Sequence, residues 1–227
     1  MNKKKSKRYK KLIEANKKIN PSKIDDIIGL VKKNCTSKFD ESIDVSLLLN
    51  LKQKKEEFNL RTIVNLPNGN GKKIRVAVLC EESKIDEAKK SGAELFGSDT
   101  LVNDISGGKI NFDKLIATPG MMSKMGKLGK ILGPKGLMPN PKLGTVTNNI
   151  QTAVKALKSG QIEIKSDKDG NLGVSIGKKS FPDNKIKENF DVLIQTVNKE
   201  KPNGIKGSFI TNAFLTSSMG ISYKLKI

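Results

Sequence analysis

The apolar residues of this chain change their spacing twice, and that change restricts its folds more than any other feature. Ile43, Val45, Leu47, Leu49 and Leu51 alternate with mostly polar neighbours, which predicts a strand over Ser42–Leu51 with one buried face. A second strand is expected from about Asn59 to Leu66. The turn-rich stretch Pro67-Asn68-Gly69-Asn70-Gly71 then breaks the pattern. Ile74–Cys80 is a continuous apolar run, as a strand covered on both faces requires. Helices are predicted over Ser83–Ser91, closed by Gly92, over Asp99–Ile105 and over about Asn148–Lys158. A brief apolar Leu95-Phe96 and a strand at Lys114–Thr118 fall between them. Strand and helix in alternation argue for a small parallel α/β domain.

After Gly160 the period returns to two. Gln161–Ser166 and Asn171–Ile176 flank Asp167-Lys168-Asp169-Gly170, a spacing that predicts a hairpin. Pro182–Lys199 reads as an amphipathic helix with Ile186, Phe190, Leu193 and Val197 in one stripe, ended by Pro202 and Gly204. Gly207–Leu215 and Ile221–Ile227 read as closing strands. Ahead of the first strand, Ser22–Asn34 predicts a helix: Pro21 precedes a Ser cap, Asp25 and Asp26 lie in the first turn, and Ile24, Ile27, Ile28 and Val31 share a face. The expected architecture is therefore mixed α/β and α+β in two domains. Residues 1–66 and 160–227 form a discontinuous α+β domain, and a Rossmann-like α/β domain is inserted at 67–159. Pro67, Gly69, Gly71 and Gly160 at the two crossings are the expected hinge. The alternative is a single continuous sheet.

Charge identifies the partner class. Among 227 residues, 43 Lys and Arg face 23 Asp and Glu, for a net charge of +20. Codon usage in an AT-rich genome accounts for Lys over Arg, of which there are only Arg8, Arg61 and Arg75. It does not account for Lys over acids, because Glu also has an A-rich codon. Such a surface seeks a polyanion, nucleic acid first and an anionic membrane second. The absence of His excludes Ser-His-Asp and Cys-His nucleophiles, HExxH sites and His-bearing zinc fingers. Cys35 and Cys80 form no CxxC, so no thiolate metal site or redox pair is expected, and no cofactor. The basic N-terminus carries no apolar run and no stretch approaches a membrane span, so no membrane is involved and a cytoplasmic location is expected.

Four segments are candidates for contact. Gly126–Val146, GKLGKILGPKGLMPNPKLGTV, interleaves Gly, Lys and Pro with Leu, Ile and Met. It lies in the acid-free stretch between Asp113 and Glu163, which holds eight lysines. It lacks the GxxxxGK[ST] spacing of a nucleotide loop, so it is either a polyanion contact or a rigid loop over the α/β domain. Lys38-Phe39-Asp40-Glu41-Ser42 places an aromatic beside a lysine at the start of a strand: a nucleic-acid contact, or a core plug. Thr216-Ser217-Ser218-Met219-Gly220 offers consecutive hydroxyls to phosphate or ribose, or forms an ordinary Ser/Thr turn. The turn with Lys165 and Lys168 is a contact or a solvated charged turn. The acidic pairs Asp25/Asp26, Glu56/Glu57 and Glu81/Glu82 read as surface and capping groups.

Taken in order, these segments, with LPNGNGKKIRVAVL at the domain junction, resemble the universal ribosomal L-one family of large-subunit stalk proteins, its bacterial branch most. The likeness spans essentially the whole chain. It implies a non-enzymatic protein that binds large-subunit ribosomal RNA at a mobile stalk, assists release of exit-site tRNA and represses its own operon mRNA. By the same resemblance the RNA site is Lys38, Phe39, Glu41 and Ser42, with Lys165, Asp167 and Lys168, and with Thr216, Ser217, Ser218, Met219 and Gly220. Lys124, Lys127, Lys130, Lys135 and Lys142 would make a second, weaker basic contact, and the free protein would be a monomer. Ser217-Ser218 stands where threonines are usual in the family, and Ile221 where proline is frequent. Two other readings compete: a generic nucleoid protein indifferent to RNA shape, and an α/β enzyme acting on a phosphorylated substrate.

Overall fold

A computed structural model describes residues 6–16, 23–50, 60–202, 205 and 207–226. Its elements in chain order are α1 (Lys7–Asn16), α2 (Ile24–Lys33), β1 (Ser42–Leu49), β2 (Arg61–Asn65), β3 (Val76–Leu79), α3 (Ile85–Lys90), β4 (Leu95–Gly97) and α4 (Asp99–Ser106). There follow β5 (Lys114–Ala117), α5 (Met122–Met125), α6 (Gly129–Leu132), α7 (Ile150–Lys158), β6 (Gln161–Lys165), β7 (Asn171–Lys178), α8 (Asp183–Lys199), β8 (Ile210–Ser217) and β9 (Tyr223–Leu225). Pro21 and the Ser22 cap, Leu51, Asn59, Gly204 and Ile227 lie outside the described residues. The chain divides into two compact units, residues 1–71 with 163–227, and residues 72–162.

The first unit holds a four-stranded antiparallel sheet in the order β7-β1-β8-β9. The period-2 pattern sends Ile43, Val45, Leu47 and Leu49 of β1 to one face, beside Leu172, Val174 and Ile176 of β7 and Ala213 and Leu215 of β8. Helices α2 and α8 cover that face with Ile27, Ile28 and Val31, and with Ile186, Phe190, Leu193 and Val197. Among the described residues no side chain caps the start of α2. A missing cap costs about 1 kcal/mol, whereas each buried aliphatic contributes roughly 1.5–3 kcal/mol. Packing, not capping, therefore sets this helix.

One expectation fails here. The predicted hairpin does not form, because its two arms join different sheets: β6 pairs with β2 and β7 with β1. Ser166 is the cause. It is buried, its N–H donates to Leu60 O at 2.8 Å, and its hydroxyl accepts from Leu60 N–H at 2.9 Å. Those bonds hold the end of β6 on the β2 side. The turn itself survives, with Gly170 at φ 83°.

The second unit is a three-stranded parallel sheet in the order β4-β3-β5. All four residues of β3 are buried, as its unbroken apolar run requires. Val76, Val78 and Ile116 pack with Ala88 of α3 and with Ile150, Val154 and Leu157 of α7. Ala77, Leu79, Leu115 and Ala117 pack with Leu101 and Ile105 of α4 and with Met121, Met125, Leu128 and Leu132. The last four residues correct a second expectation. The front half of the GKLGKILGPKGLMPNPKLGTV segment is not a loop; Gly126–Leu128 and α6 continue the helical turns begun by α5. Spacings of four, three and four place Met121, Met125, Leu128 and Leu132 on one buried stripe.

Candidate nucleic-acid interface

Register brings two of the sequence candidates together. Strand β1 begins at Ser42 and antiparallel β8 ends at Ser217, so the loops 36–41 and 218–220 meet at one end of the sheet. Glu41 fastens them. Its carboxylate is fully buried and accepts three bonds: Ser37 N–H at 3.0 Å, the Ser217 hydroxyl at 2.7 Å and Met219 N–H at 3.1 Å. Burial pushes this carboxyl up, but the bonds from Ser217, Ser37 and Met219 outweigh it and hold it below the usual carboxylate range. The Ser218 hydroxyl accepts from Ser42 N–H at 3.1 Å, and Ser218 N–H donates to Ser42 O at 3.1 Å. Gly220 closes the turn, and a Cβ there would stand 2.3 Å from the Ser217 hydroxyl. Thr216 is half-buried.

On this scaffold stand two large apolar side chains in water: Phe39 is 55% exposed and Met219 50%. Lys38 beside Phe39 is exposed as well. Phe39 is therefore not the core plug that its place at a strand start allowed. Glu41 and Ser217 also depart from expectation: both are buried and bonded to each other, so neither offers an atom to a ligand. They position the residues that can.

The third candidate lies elsewhere. Strand β7 runs antiparallel to β1 with Leu48 opposite Asn171, so the Asp167–Gly170 turn sits at the far end of β1 from Ser42. Six residues of strand separate the two ends, roughly 20 Å. Lys165, Asp167 and Lys168 are exposed there. The Asp167 carboxylate is engaged by its own turn, accepting from Asn171 Nδ2 at 3.0 Å and from Asn171 N–H at 2.6 Å. Those bonds hold it below the usual range.

Two neighbours of the Glu41 cluster escaped the sequence reading. The segment after β7 flanks the 36–41 loop: Lys179 N–H donates to Glu41 O at 2.8 Å, and Ser180 bonds Asp40 through its N–H at 3.1 Å and its hydroxyl at 2.8 Å. Arg8 of α1 donates to Thr36 Oγ1 at 2.8 Å and to Met219 O at 2.7 Å, touching both loops at once. Only its being one of three arginines marked it in the sequence. Cys35 lies under the cluster; burial pushes its thiol up, and Sγ donates to Val31 O at 3.2 Å.

In the second unit Lys127, Lys130, Lys135 and Lys142 are exposed, while Lys124 is paired with Asp99 at 2.5 Å. Asn140 accepts from Lys142 N–H at 2.9 Å and so fixes the loop that carries that lysine. At the first crossing, Asn68 and Gly69 are tied to α8. Asn68 N–H donates to buried Asn189 Oδ1 at 3.1 Å, and Asn189 Nδ2 donates to Gly69 O at 2.8 Å. Among the described residues no group of carboxylates and thiols is arranged to hold a metal.

Residues 31–221 match the model of the ribosomal protein L1p/L10e family. The chain is 58% identical to the large ribosomal subunit protein uL1 of Pelagibacter ubique, over 98% of this chain and 97% of that protein. It is 44% identical to uL1c of Phaeodactylum tricornutum, over 98% and 96%, and 47% identical to uL1 of Prochlorococcus marinus, over 89% and 86%. These relatives are ribosomal proteins rather than catalysts, which removes the α/β-enzyme reading. The chain belongs to the ribosomal protein L1p/L10e family and stands with its bacterial members.

Proposed function

We propose that this protein is a component of the large ribosomal subunit and binds large-subunit ribosomal RNA at the base of the mobile stalk through the Glu41 loop cluster. One observation carries the reading: Phe39 and Met219 stand exposed on two loops that a buried carboxylate fastens together. Large apolar side chains on rigid loops suit a partner with flat faces. Phe39 and Met219 meet bases or sugars, Ser218 and Thr216 meet riboses, and Lys38 meets phosphate. A site with one aromatic reads RNA shape, not a run of bases. The turn with Lys165 and Lys168 serves an RNA long enough to reach it.

The family resemblance supports three further roles. The exposed lysines Lys127, Lys130, Lys135 and Lys142, with Lys124, are a weaker contact toward exit-site tRNA and assist its release. The same loops repress translation of the protein's own operon when its mRNA carries a similar fold. The free protein is a cytoplasmic monomer with its RNA site on the unit of residues 1–71 and 163–227, into which residues 72–162 are inserted rather than the 67–159 expected from the sequence. Its two crossings act as the hinge, the first beyond Gly71 and the second at Gly160. Because Asn189 holds Asn68 and Gly69, bending at the first crossing is assigned to the residues after Gly71.

The test is a competition assay at moderate salt. Labelled RNA with the stalk-base fold is challenged with excess duplex DNA and with unstructured RNA. Survival of the folded complex, with weakening by Phe39→Ala, is the expected result. Equal competition by all polyanions would reduce the protein to its net charge.

A further inference from the structure

Helix α1 is an unusual element for its surroundings. None of its residues is fully buried, and ten residues do not hold a helix in water on their own. Polar tethers secure it at both ends. At its start, Arg8 reaches Thr36 and Met219 O. At its end, the Asn16 side-chain Oδ1 accepts from Tyr223 Oη at 2.7 Å and from Asn34 Nδ2 at 3.3 Å. Arg8, Tyr9, Leu12, Ile13 and Asn16 are half-buried, which defines the inner side. Lys7, Lys10 and Lys11 are exposed, and none makes an ion pair among the described residues. Lys7 and Lys11 are one turn apart on the same flank, next to the side from which Arg8 reaches the loop. Like charges at that spacing repel, and no acidic residue in the first turn offsets them. The helix is tied down where its own electrostatics are unfavourable.

An RNA backbone relieves that repulsion. We propose that α1 is a third wall of the RNA interface, with Lys7 and Lys11 on phosphates beside Met219 and Arg8 as the tether that keeps them there. This inference rests on the Glu41 cluster being the RNA site, and the surface it adds is continuous with that cluster through the Arg8–Met219 bond. The occupant is RNA backbone because the flank offers charge without an aromatic or an apolar groove.

The test measures affinity of the full chain for the stalk-base RNA as a function of salt. Lys7→Ala with Lys11→Ala removes two exposed cations that support no buried contact. The log–log salt slope should flatten by about 2, and binding at 0.1 M salt should weaken about tenfold or more. Lys89→Ala with Lys90→Ala removes the same charge from α3 and should leave the slope unchanged. An unchanged slope in the α1 variant, or equal flattening in both, overturns the proposal while the RNA site stands. If the unaltered chain shows no preference for the folded RNA, the site assignment fails first and the third wall with it.

Discussion

Glu41 does the most structural work of any single residue at the candidate interface, although it touches no solvent. Three donors from two loops converge on its carboxylate, and each needs a lone pair. Glu41→Gln keeps the shape but supplies only one accepting oxygen. Its amide NH2 must then face either Ser37 N–H or the Ser217 and Met219 donors. A buried donor left facing another donor costs about 1–3 kcal/mol. The variant should lose that much stability in urea unfolding and bind RNA more weakly, although no contacting atom has been changed. Stability equal to the parent would mean that the loops hold without the carboxylate. Ser217 offers a gentler perturbation through its neighbour: Gly220→Ala pushes a methyl toward the Ser217 hydroxyl and so toward the bond with Glu41.

Elements explain what could be read from the sequence and what could not. The strands of the first unit were legible because one face is buried and the period is two. The all-buried β3 was legible because both of its faces are covered. The pairing of β6 was not, because Ser166 and Leu60 are far apart in sequence and nothing local in Gln161–Ser166 distinguishes a hairpin arm from a strand in another sheet. The helical turns of 122–132 were hidden by Gly126, Gly129 and Gly133, which signal a loop by composition, although the apolar spacing was helical. Within the candidate site, both loops were legible as motifs, but the separation of the Lys165–Lys168 turn is a matter of register. Gly133 has a packing reason of its own: a Cβ there would lie 2.6 Å from Gly129 O. That clash is with backbone, so Gly133→Ala should destabilise the chain by about 1–3 kcal/mol. Thermal unfolding checks this, and an unshifted midpoint would show that the α6 end yields. Lys127→Glu with Lys130→Glu changes only exposed positions of the same segment, so it should leave both stability and stalk-base RNA affinity nearly unchanged. A large loss of affinity would move the primary site to the second unit.

For the whole molecule, charge and acidity act on different scales. With no His, and with burial pushing both thiols up, the side-chain charge stays nearly constant between about pH 6 and 8. Among the described residues four carboxyls sit below their usual range. Those of Asp113 and Asp167 are held there by Arg75 and by Asn171. Those of Glu41 and Glu94 are raised by burial and lowered further by the bonds that they accept. A carboxyl whose folded pKa lies below its unfolded value adds stability at neutral pH. That contribution disappears as pH falls through the folded value. Unfolding free energy should therefore be flat from about pH 8 to 6 and fall once the medium drops below the ordinary carboxylate range, near pH 4. Glu41→Gln separates the site from the rest. At pH 7 the variant should be less stable by about 1–3 kcal/mol. As acid protonates Glu41 in the parent, the parent loses the same accepting charge, so the gap must narrow. Urea midpoints of both proteins across a pH series give the answer. A gap that stays constant into acid would mean that the fit of the side chain, and not its charge, joins the two RNA-facing loops.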